Sequence, residues 1–599
     1  MIRPTKAIAA TLAALTIIGC SASLKSAAES AETLNTSTTP ATVQATTTTT
    51  FTEPVDPEPL TAEEQAAWNE VTDRLNVAWG TADLRYSRSR VPRVDATDTL
   101  PVVAWRGERA SAQLVIWSTE ALDGIRCEVR DFRSSTAVLP ASIAETRFVR
   151  YTLADSTFCK NGATMLSADM LDTLDRIDLS PRSLRPVWLT ISVPPTAEEG
   201  IYTSEVVVTC NGANKAVLPL TLEIQPYTLA SPDKWSYHLD LWQHPTAVAR
   251  AEGLELWSDE HFEALRRDMT LLANAGQKVI TATLNKDPWN HQCYDGYAPM
   301  IEWRLHSDGS WSYDYRIFDR WVGMMLELGI DKMINCYSMV PWNCELEYLD
   351  EATGEVVTVK AQPGTPLFAQ MWRPFLLDFK QHLSDRGWLA ITNIAMDERA
   401  PEEMDAAVEL LAECAPEMGF AIADMHKSYK RYINMRDVCV AQEQPADRDD
   451  ILARREQGFN TTFYICCNPL FPNTFSFSNP FEAELLGWYG LACDYDGILR
   501  WAYNSWPADP ERDSRYGNWS SGDTYLIYPH ARSSVRFERL IDGIEVAEKV
   551  RTLRRLGVDT SAVDAVLQRI LAADINDPRE PWQQLLTDAR TALDSLSRQ

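Results

Sequence analysis

Two acidic residues stand side by side where an apolar run ends: Ile394-Ala395-Met396 leads directly into Asp397-Glu398-Arg399, and Pro401 opens the stretch that follows. A carboxyl pair of this kind can divide acid and base work, one group donating a proton while the other stays ionised. Adjacent carboxylates leaving a buried strand cost free energy unless water, partners or a ligand satisfy them. A plainer reading has equal weight on these residues alone. Negative charge ahead of a helix is favoured by about 0.3–1 kcal/mol, and the pair precedes one. Other chemistries find less support. His244 stands before Pro245 with no second His at ligand spacing; the chain has 8 His and no H-E-x-x-H, so no metal is assigned. The cysteines form no doubled C-x-x-C pattern, and several, such as Cys336, sit in apolar runs as small core residues. Spacing pairs no disulfide, a cysteine nucleophile is not expected, and neither is a cofactor.

The elements that must position the acidic pair follow from hydrophobic periodicity. From Trp235 onward, apolar strands alternate with amphipathic helices. The strands are predicted at Tyr237 to Trp242, Lys278 to Leu284, Met333 to Val340, Thr392 to Met396, Ala421 to Met425, Val438 to Ala441, Thr462 to Cys466 and Ile498 to Tyr503. That rhythm predicts a (β/α)8 barrel over residues 231–557, with active-site residues at the C-terminal strand ends. An open doubly wound sheet would usually carry a Gly-rich phosphate loop after its first strand, where Gln243-His244-Pro245 stands instead. Before the barrel, residues 75–230 read as short alternating strands such as Val187 to Val193, which predicts an all-β sandwich. After it, residues 558–599 predict a short C-terminal helical extension.

Composition narrows the partners. The 599 residues carry 56 Lys+Arg against 84 Asp+Glu, a formal net charge of −28 that repels phosphate backbones, so no nucleic acid is expected. The 20 Trp supply flat apolar faces of the kind that stack on sugar rings, although most aromatics fill cores. At the N-terminus, Arg3 and Lys6 precede an apolar run from Ala7 to Ile18, then Gly19-Cys20. This predicts an export signal over residues 1–20. Ile17-Ile18-Gly19-Cys20 resembles a bacterial lipobox, which implies a lipidated Cys20 and an exported, membrane-anchored chain, periplasmic or at the cell surface. Residues 21–60, rich in Thr, Ser and Pro, are predicted to be a flexible tether.

The acidic pair at a fourth-strand end resembles that of glycoside hydrolase family 123, the exo-β-N-acetylgalactosaminidases. Leu239-Asp240-Leu241-Trp242-Gln243-His244-Pro245 resembles the family's first barrel strand. Gly522 to Pro529, followed by Ser534-Val535-Arg536-Phe537-Glu538 and Asp542-Gly543-Ile544-Glu545, resembles its C-terminal signature. Arg106-Gly107-Glu108 with Gln113, and Gly200-Ile201-Tyr202, resemble the sandwich placed before the barrel. One departure is Arg399, where Pro is expected, and it bears on substrate preference.

The resemblance implies a retaining mechanism in which the substrate's 2-acetamido oxygen attacks C1 and forms an oxazolinium ion. Glu398 is then the acid/base, its pKa raised enough to hold a proton, and Asp397 the ionised carboxylate that receives the acetamido N–H. Adjacent residues of a regular strand point to opposite sides, so both serve one ligand only if the backbone leaves strand geometry there. Trp242, Trp501 and Trp506 are candidate walls for the sugar, each with a core role as the alternative. Tyr464 is a candidate partner of the acetamido carbonyl. Asn504 and Asp523 are candidates for sugar hydroxyls. The resulting expectation is an exo-acting enzyme that releases terminal β-linked N-acetylgalactosamine-type sugars from a glycan or glycoconjugate. The alternatives are a non-catalytic glycan-binding lipoprotein on the same fold and a glycosidase for a different sugar.

Overall fold

The computed structural model describes residues 52–598, apart from 95–96, 156–162, 213, 433 and 518. The expected signal segment, Cys20 and the tether up to residue 51 lie outside the described residues. From Glu53 to the C-terminus the chain forms one compact unit.

The predicted barrel is present as eight parallel strands: β1 His238–Leu241, β2 Val279–Thr283, β3 Met333–Tyr337, β4 Thr392–Asp397, β5 Gly419–Asp424, β6 Met435–Ala441, β7 Asn460–Ile465 and β8 Gly497–Arg500. Their order is β1-β8-β7-β6-β5-β4-β3-β2, and the single bridge Leu239↔Gln277 nearly closes the ring between β1 and β2. Helices cover the strands on the outside, which is why β4 and β5 read as continuous buried runs and not as alternating ones. A 3-10 turn at Ser428–Lys430 stands where a helix would link β5 to β6.

The barrel's interior is polar at one level and hollow at the next. Asp437 binds His238 at 3.2 Å and accepts from Asn335 at 2.9 Å, while Asn335 in turn accepts from Asn393 at 2.9 Å. Further along the same strands the inward residues are small, Ala395, Ala421, Ala423, Cys439 and Ala441, set among Trp242, Tyr337, Tyr464 and Leu499. Small side chains on β4, β5 and β6 leave room at the C-terminal end that Leu or Ile would fill. Strands Glu302–Leu305, Trp311–Asp314, Glu345–Asp350 and Glu355–Lys360, which the periodicity did not reveal, form a four-stranded sheet inserted after β2 and β3.

Ahead of the barrel stand a five-stranded and a seven-stranded sheet. Their facing sides share one apolar core that includes Trp79, Leu114, Val187, Tyr202 and Leu222. After the barrel's last helix, Val535–Arg555, come helices Ser561–Ala572 and Trp582–Ser597.

The expected tether over residues 21–60 needs correction at its C-terminal part. The Glu53 side chain is only 10% exposed and pairs with Arg185 at 2.6 Å and Arg150 at 3.1 Å. Burial pushes its carboxyl up, but the two arginines outweigh that and hold it down at about 2. Glu58 pairs with Arg90 at 2.9 Å, and Thr61 with Glu64 forms a capping box on helix Ala62–Ala67. Proline spacing suggested a loose chain here; long-range ion pairs, which composition cannot show, order it.

Candidate active site

Asp397 is the last residue of β4 and continues the inward row of Asn393 and Ala395, so its side chain enters the barrel mouth. Regular strand geometry would send Glu398 outward. Instead Glu398 takes φ +48°, a left-handed conformation unusual for a residue with a Cβ, and its carboxylate turns back into the same pocket. There Oε1 accepts the Tyr464 hydroxyl of β7 at 2.5 Å. One turn of backbone therefore puts both acids on one cavity.

That cavity, with its open mouth included, spans about 500 Å³ and is lined by Asp397, Glu398, Tyr464, Trp242, Trp501 and Asp523, together with Gln292, Trp342, Ala423, Cys467, Leu499 and Trp519. Trp242 packs against Trp289 and Tyr337 at ring-centroid distances of 4.9 and 4.8 Å. Trp501 meets Trp519 edge to face at 5.6 Å. The Trp519 indole donates to the Gln292 carbonyl at 2.8 Å, joining the loop after β8 to the loop after β2 across the rim.

Asp523 is fully buried. Its Oδ1 accepts from Arg500 at 2.9 Å and from the Trp501 indole at 3.2 Å, while Oδ2 has no hydrogen-bond partner among the described residues. Burial raises its carboxyl and Arg500 opposes the rise. A pocket-lining carboxylate oxygen without a partner can accept a ligand hydroxyl.

Two candidates do not reach the cavity. Asn504 is completely buried; its Oδ1 accepts the His244 backbone N–H at 2.8 Å, which pins the segment after β1. Trp506 is completely buried as well, and its indole donates to the Ile527 carbonyl at 2.6 Å. Both lie in the long connection after β8, whose return path through the core depends on contacts remote in sequence. Arg399 donates to the Trp342 carbonyl at 3.4 Å and pairs with Glu403 at 2.6 Å, so it braces a pocket wall from behind.

The electrostatics differ from expectation at Asp397. Burial first, and the neighbouring Glu398 charge second, hold the Asp397 carboxyl well above the usual carboxylate range. The nearby indoles of Trp342 and Trp289 and the charge of Arg399 only partly offset this. The residue expected to stay ionised is thus shifted towards its protonated form. Burial and then the Glu398 charge likewise push the Tyr464 hydroxyl upward.

Trp289, Gln292, Trp342, Cys467 and Trp519 escaped the sequence reading. All sit in loops beyond strand ends, and the cue available was their position after β2, β3, β7 and β8 in a fold whose βα loops build the site. Among the described residues no group of three His, Cys, Asp or Glu side chains could hold a metal ion.

Comparison with known proteins bears on this site. Residues 242–553 match the family model for the glycoside hydrolase 123 catalytic domain, and residues 79–210 match that for the glycoside hydrolase 123 N-terminal domain. Among solved structures, a family 123 glycoside hydrolase from Clostridium perfringens, studied for glycolipid glycan hydrolysis, superposes with a TM-score of 0.80 at 24% identity. The match covers 88% of this chain and 97% of that one. A putative glycoside hydrolase from Bacteroides vulgatus gives a TM-score of 0.30 at 10% identity, covering 76% and 79% of the two chains. A Bacteroides ovatus GH5 xyloglucanase gives 0.27 at 10% identity, covering 78% and 100%. No curated protein matches the chain.

Proposed function

The chain belongs to glycoside hydrolase family 123, and on that footing we propose that this glycosidase is an exo-acting β-N-acetylhexosaminidase of the N-acetylgalactosamine-releasing type, working by substrate-assisted retention. The observation that carries the reading is the convergence of Asp397 and Glu398 on one pocket through the left-handed turn at Glu398. The Trp519–Gln292 link across the rim favours a blind pocket for a terminal sugar over an open groove.

In the reaction, Glu398 protonates the leaving oxygen while the acetamido carbonyl oxygen attacks C1 and the glycosidic bond breaks. Asp397 accepts the acetamido N–H and stabilises the oxazolinium charge. Glu398 then takes a proton from water as that water opens the oxazolinium ion at C1. The raised Asp397 lies beside Glu398 in the same pocket, so the charge of either acid acts on the other. Tyr464 donates to Glu398, while burial and the Glu398 charge raise the Asp397 carboxyl. A bound 2-acetamido sugar draws the Tyr464 hydroxyl to its carbonyl and sets its N–H against Asp397. The second contact favours the ionised form of Asp397 that the oxazolinium charge requires. Asp523 Oδ2 is left to accept a sugar hydroxyl. We further propose that the enzyme is exported and held at a membrane through a lipidated Cys20, a reading that rests on residues 1–20 alone.

The test is a panel of aryl β-glycosides with the full chain. Turnover of the N-acetylgalactosaminide, with loss of at least roughly a hundredfold when the 2-acetamido group is replaced by hydroxyl, supports the mechanism, since one oriented nucleophile is worth several kcal/mol. Comparable rates on both sugars would overturn self-supplied attack, and no turnover on any member would favour a binding protein.

A further inference from the structure

The wall of the sugar pocket carries a pair of thiols that the hydrolytic chemistry does not use. Cys466 and Cys467 follow β7 directly, and their sulfurs stand 3.8 Å apart. Cys467 lines the cavity together with Asp397, Glu398 and Asp523, so reagents that enter the pocket can reach it. The two residues are held and not merely adjacent. The Cys466 N–H donates to the Asn468 carbonyl at 3.0 Å, and the Asn473 amide donates to the carbonyls of Cys466 at 2.8 Å and Pro469 at 2.7 Å. Asn473 is itself tied by its N–H to Glu482, at 3.0 Å. By contrast, Cys336 and Cys439 lie completely or almost completely buried inside the barrel.

We propose that Cys466 and Cys467 form a reversible oxidation site on the pocket wall, closing to a vicinal disulfide by exchange with a small-molecule disulfide. The Cys467 thiolate attacks one sulfur of the oxidant, breaking its S–S bond, releasing one thiol and leaving a mixed disulfide on Cys467. The Cys466 thiol then loses its proton and attacks the Cys467 sulfur, expelling the second thiol. In total two S–H groups become one S–S bond, and the oxidant disulfide becomes two thiols.

Cys467 is the entry sulfur for two reasons. It faces the cavity, and its thiol is held below the ordinary value by a hydrogen bond from Cys466, against the opposing effects of burial, Asp523 and Glu398. Neighbouring Cα atoms stand about 3.8 Å apart, shorter than the roughly 4.4–6.8 Å usual for disulfides, so the bond is strained and easily reduced. That makes the pair a reversible site and not a structural staple. Export, proposed above, places it where disulfide oxidants are present. The inference is independent of which sugar the pocket takes, and its readout does not depend on turnover.

The experiment is mass analysis of the folded, reduced full chain after incubation with oxidised glutathione. The expected result is a peptide containing Cys466 and Cys467 lighter by two hydrogens, without a glutathione adduct, and restored by dithiothreitol. In Cys466→Ser, which removes the resolving thiol, the glutathione adduct should persist on Cys467. In Cys467→Ser, modification of Cys466 should slow by at least tenfold. Recovery of both cysteines of the unsubstituted chain as thiols, or a stable adduct on Cys467 in the presence of Cys466, overturns the proposal. Because the key result comes from the unsubstituted chain, a variant that fails to fold leaves it decidable.

Discussion

At the scale of single residues, the site is set by where charge is tolerated. Glu398→Gln removes the proton donor and should lower turnover on poor leaving groups by about 10²–10⁴-fold, the usual worth of general acid catalysis. Activated aryl substrates should lose less, which rate measurements across a leaving-group series will check. Tyr464→Phe removes the hydroxyl that donates to the Glu398 carboxylate. A hydrogen bond to a charged group is worth about 1.5–3 kcal/mol, so kcat/KM should fall roughly ten- to a hundredfold. A buried carboxyl below the pocket offers a separate test by pH. Asp240 is buried, and burial, then the Asp437 charge, push it up to about 8, against weaker opposing contacts with His238, Trp242 and Gln277. In the unfolded chain the group titrates near its ordinary value of about 3.9. Stability is therefore full below that value and is lost as pH rises towards 8, because only the unfolded chain ionises the group freely. Asp240→Asn abolishes this loss. Its gain in melting temperature over the parent should be absent near pH 4 and level off above pH 8, as thermal melts across that range will read.

At the scale of elements, one backbone residue does what no rotamer could. A strand alternates its side chains, so Asp397 and Glu398 would part company if β4 continued; the turn to φ +48° at Glu398 reunites them. Such a conformation strains a residue with a Cβ by roughly 1 kcal/mol and suits glycine. Glu398→Gly should therefore melt higher than Glu398→Ala, with both inactive; equal or reversed melting temperatures would contradict the strained turn. The barrel's seam makes a comparable demand. Gly497 in β8 lies against β1 so closely that a Cβ would overlap the His238 carbonyl. Gly497→Ala should cost at least about 1–3 kcal/mol by overpacking, measured by denaturant unfolding. The strand rhythm and the acidic pair were legible in the sequence because period and adjacency are local. The turn at Glu398 was not, because it depends on the pocket that rewards it.

For the whole molecule, the sandwich does more than accompany the barrel. Asp169, on strand Thr164–Leu171 of the sandwich, is completely buried and binds Arg536 of the barrel's last helix at 2.9 Å and Arg85 at 3.0 Å. Arg536 also donates to the carbonyls of Thr474 and Gly522, at 2.7 and 2.6 Å. Gly522 immediately precedes the pocket residue Asp523, and Thr474 closes the loop that begins at the two cysteines. The path from sandwich to pocket is thus a chain of charge-assisted hydrogen bonds. Asp169→Asn leaves two buried arginines short of their counter-charge. It should cost about 3–5 kcal/mol of stability and lower kcat/KM through displaced loops, although residue 169 does not line the pocket. Unfolding by urea and kinetics on the folded fraction separate the two effects.

The sequence by itself determined the barrel and the neighbouring acids, since hydrophobic period and covalent adjacency need no knowledge of distant residues. It also identified Trp242, Tyr464, Trp501 and Asp523 as inhabitants of strand ends or their following loops, and all four line the cavity. Only the tertiary structure decided that Asn504 and Trp506 turn into the core, that Glu53 is clasped by arginines, and that burial raises the Asp397 carboxyl. Each of these depends on what a returning loop or a remote strand places alongside. Burial and local field are sums over neighbours far apart in the chain, and spacing along the chain carries no record of them.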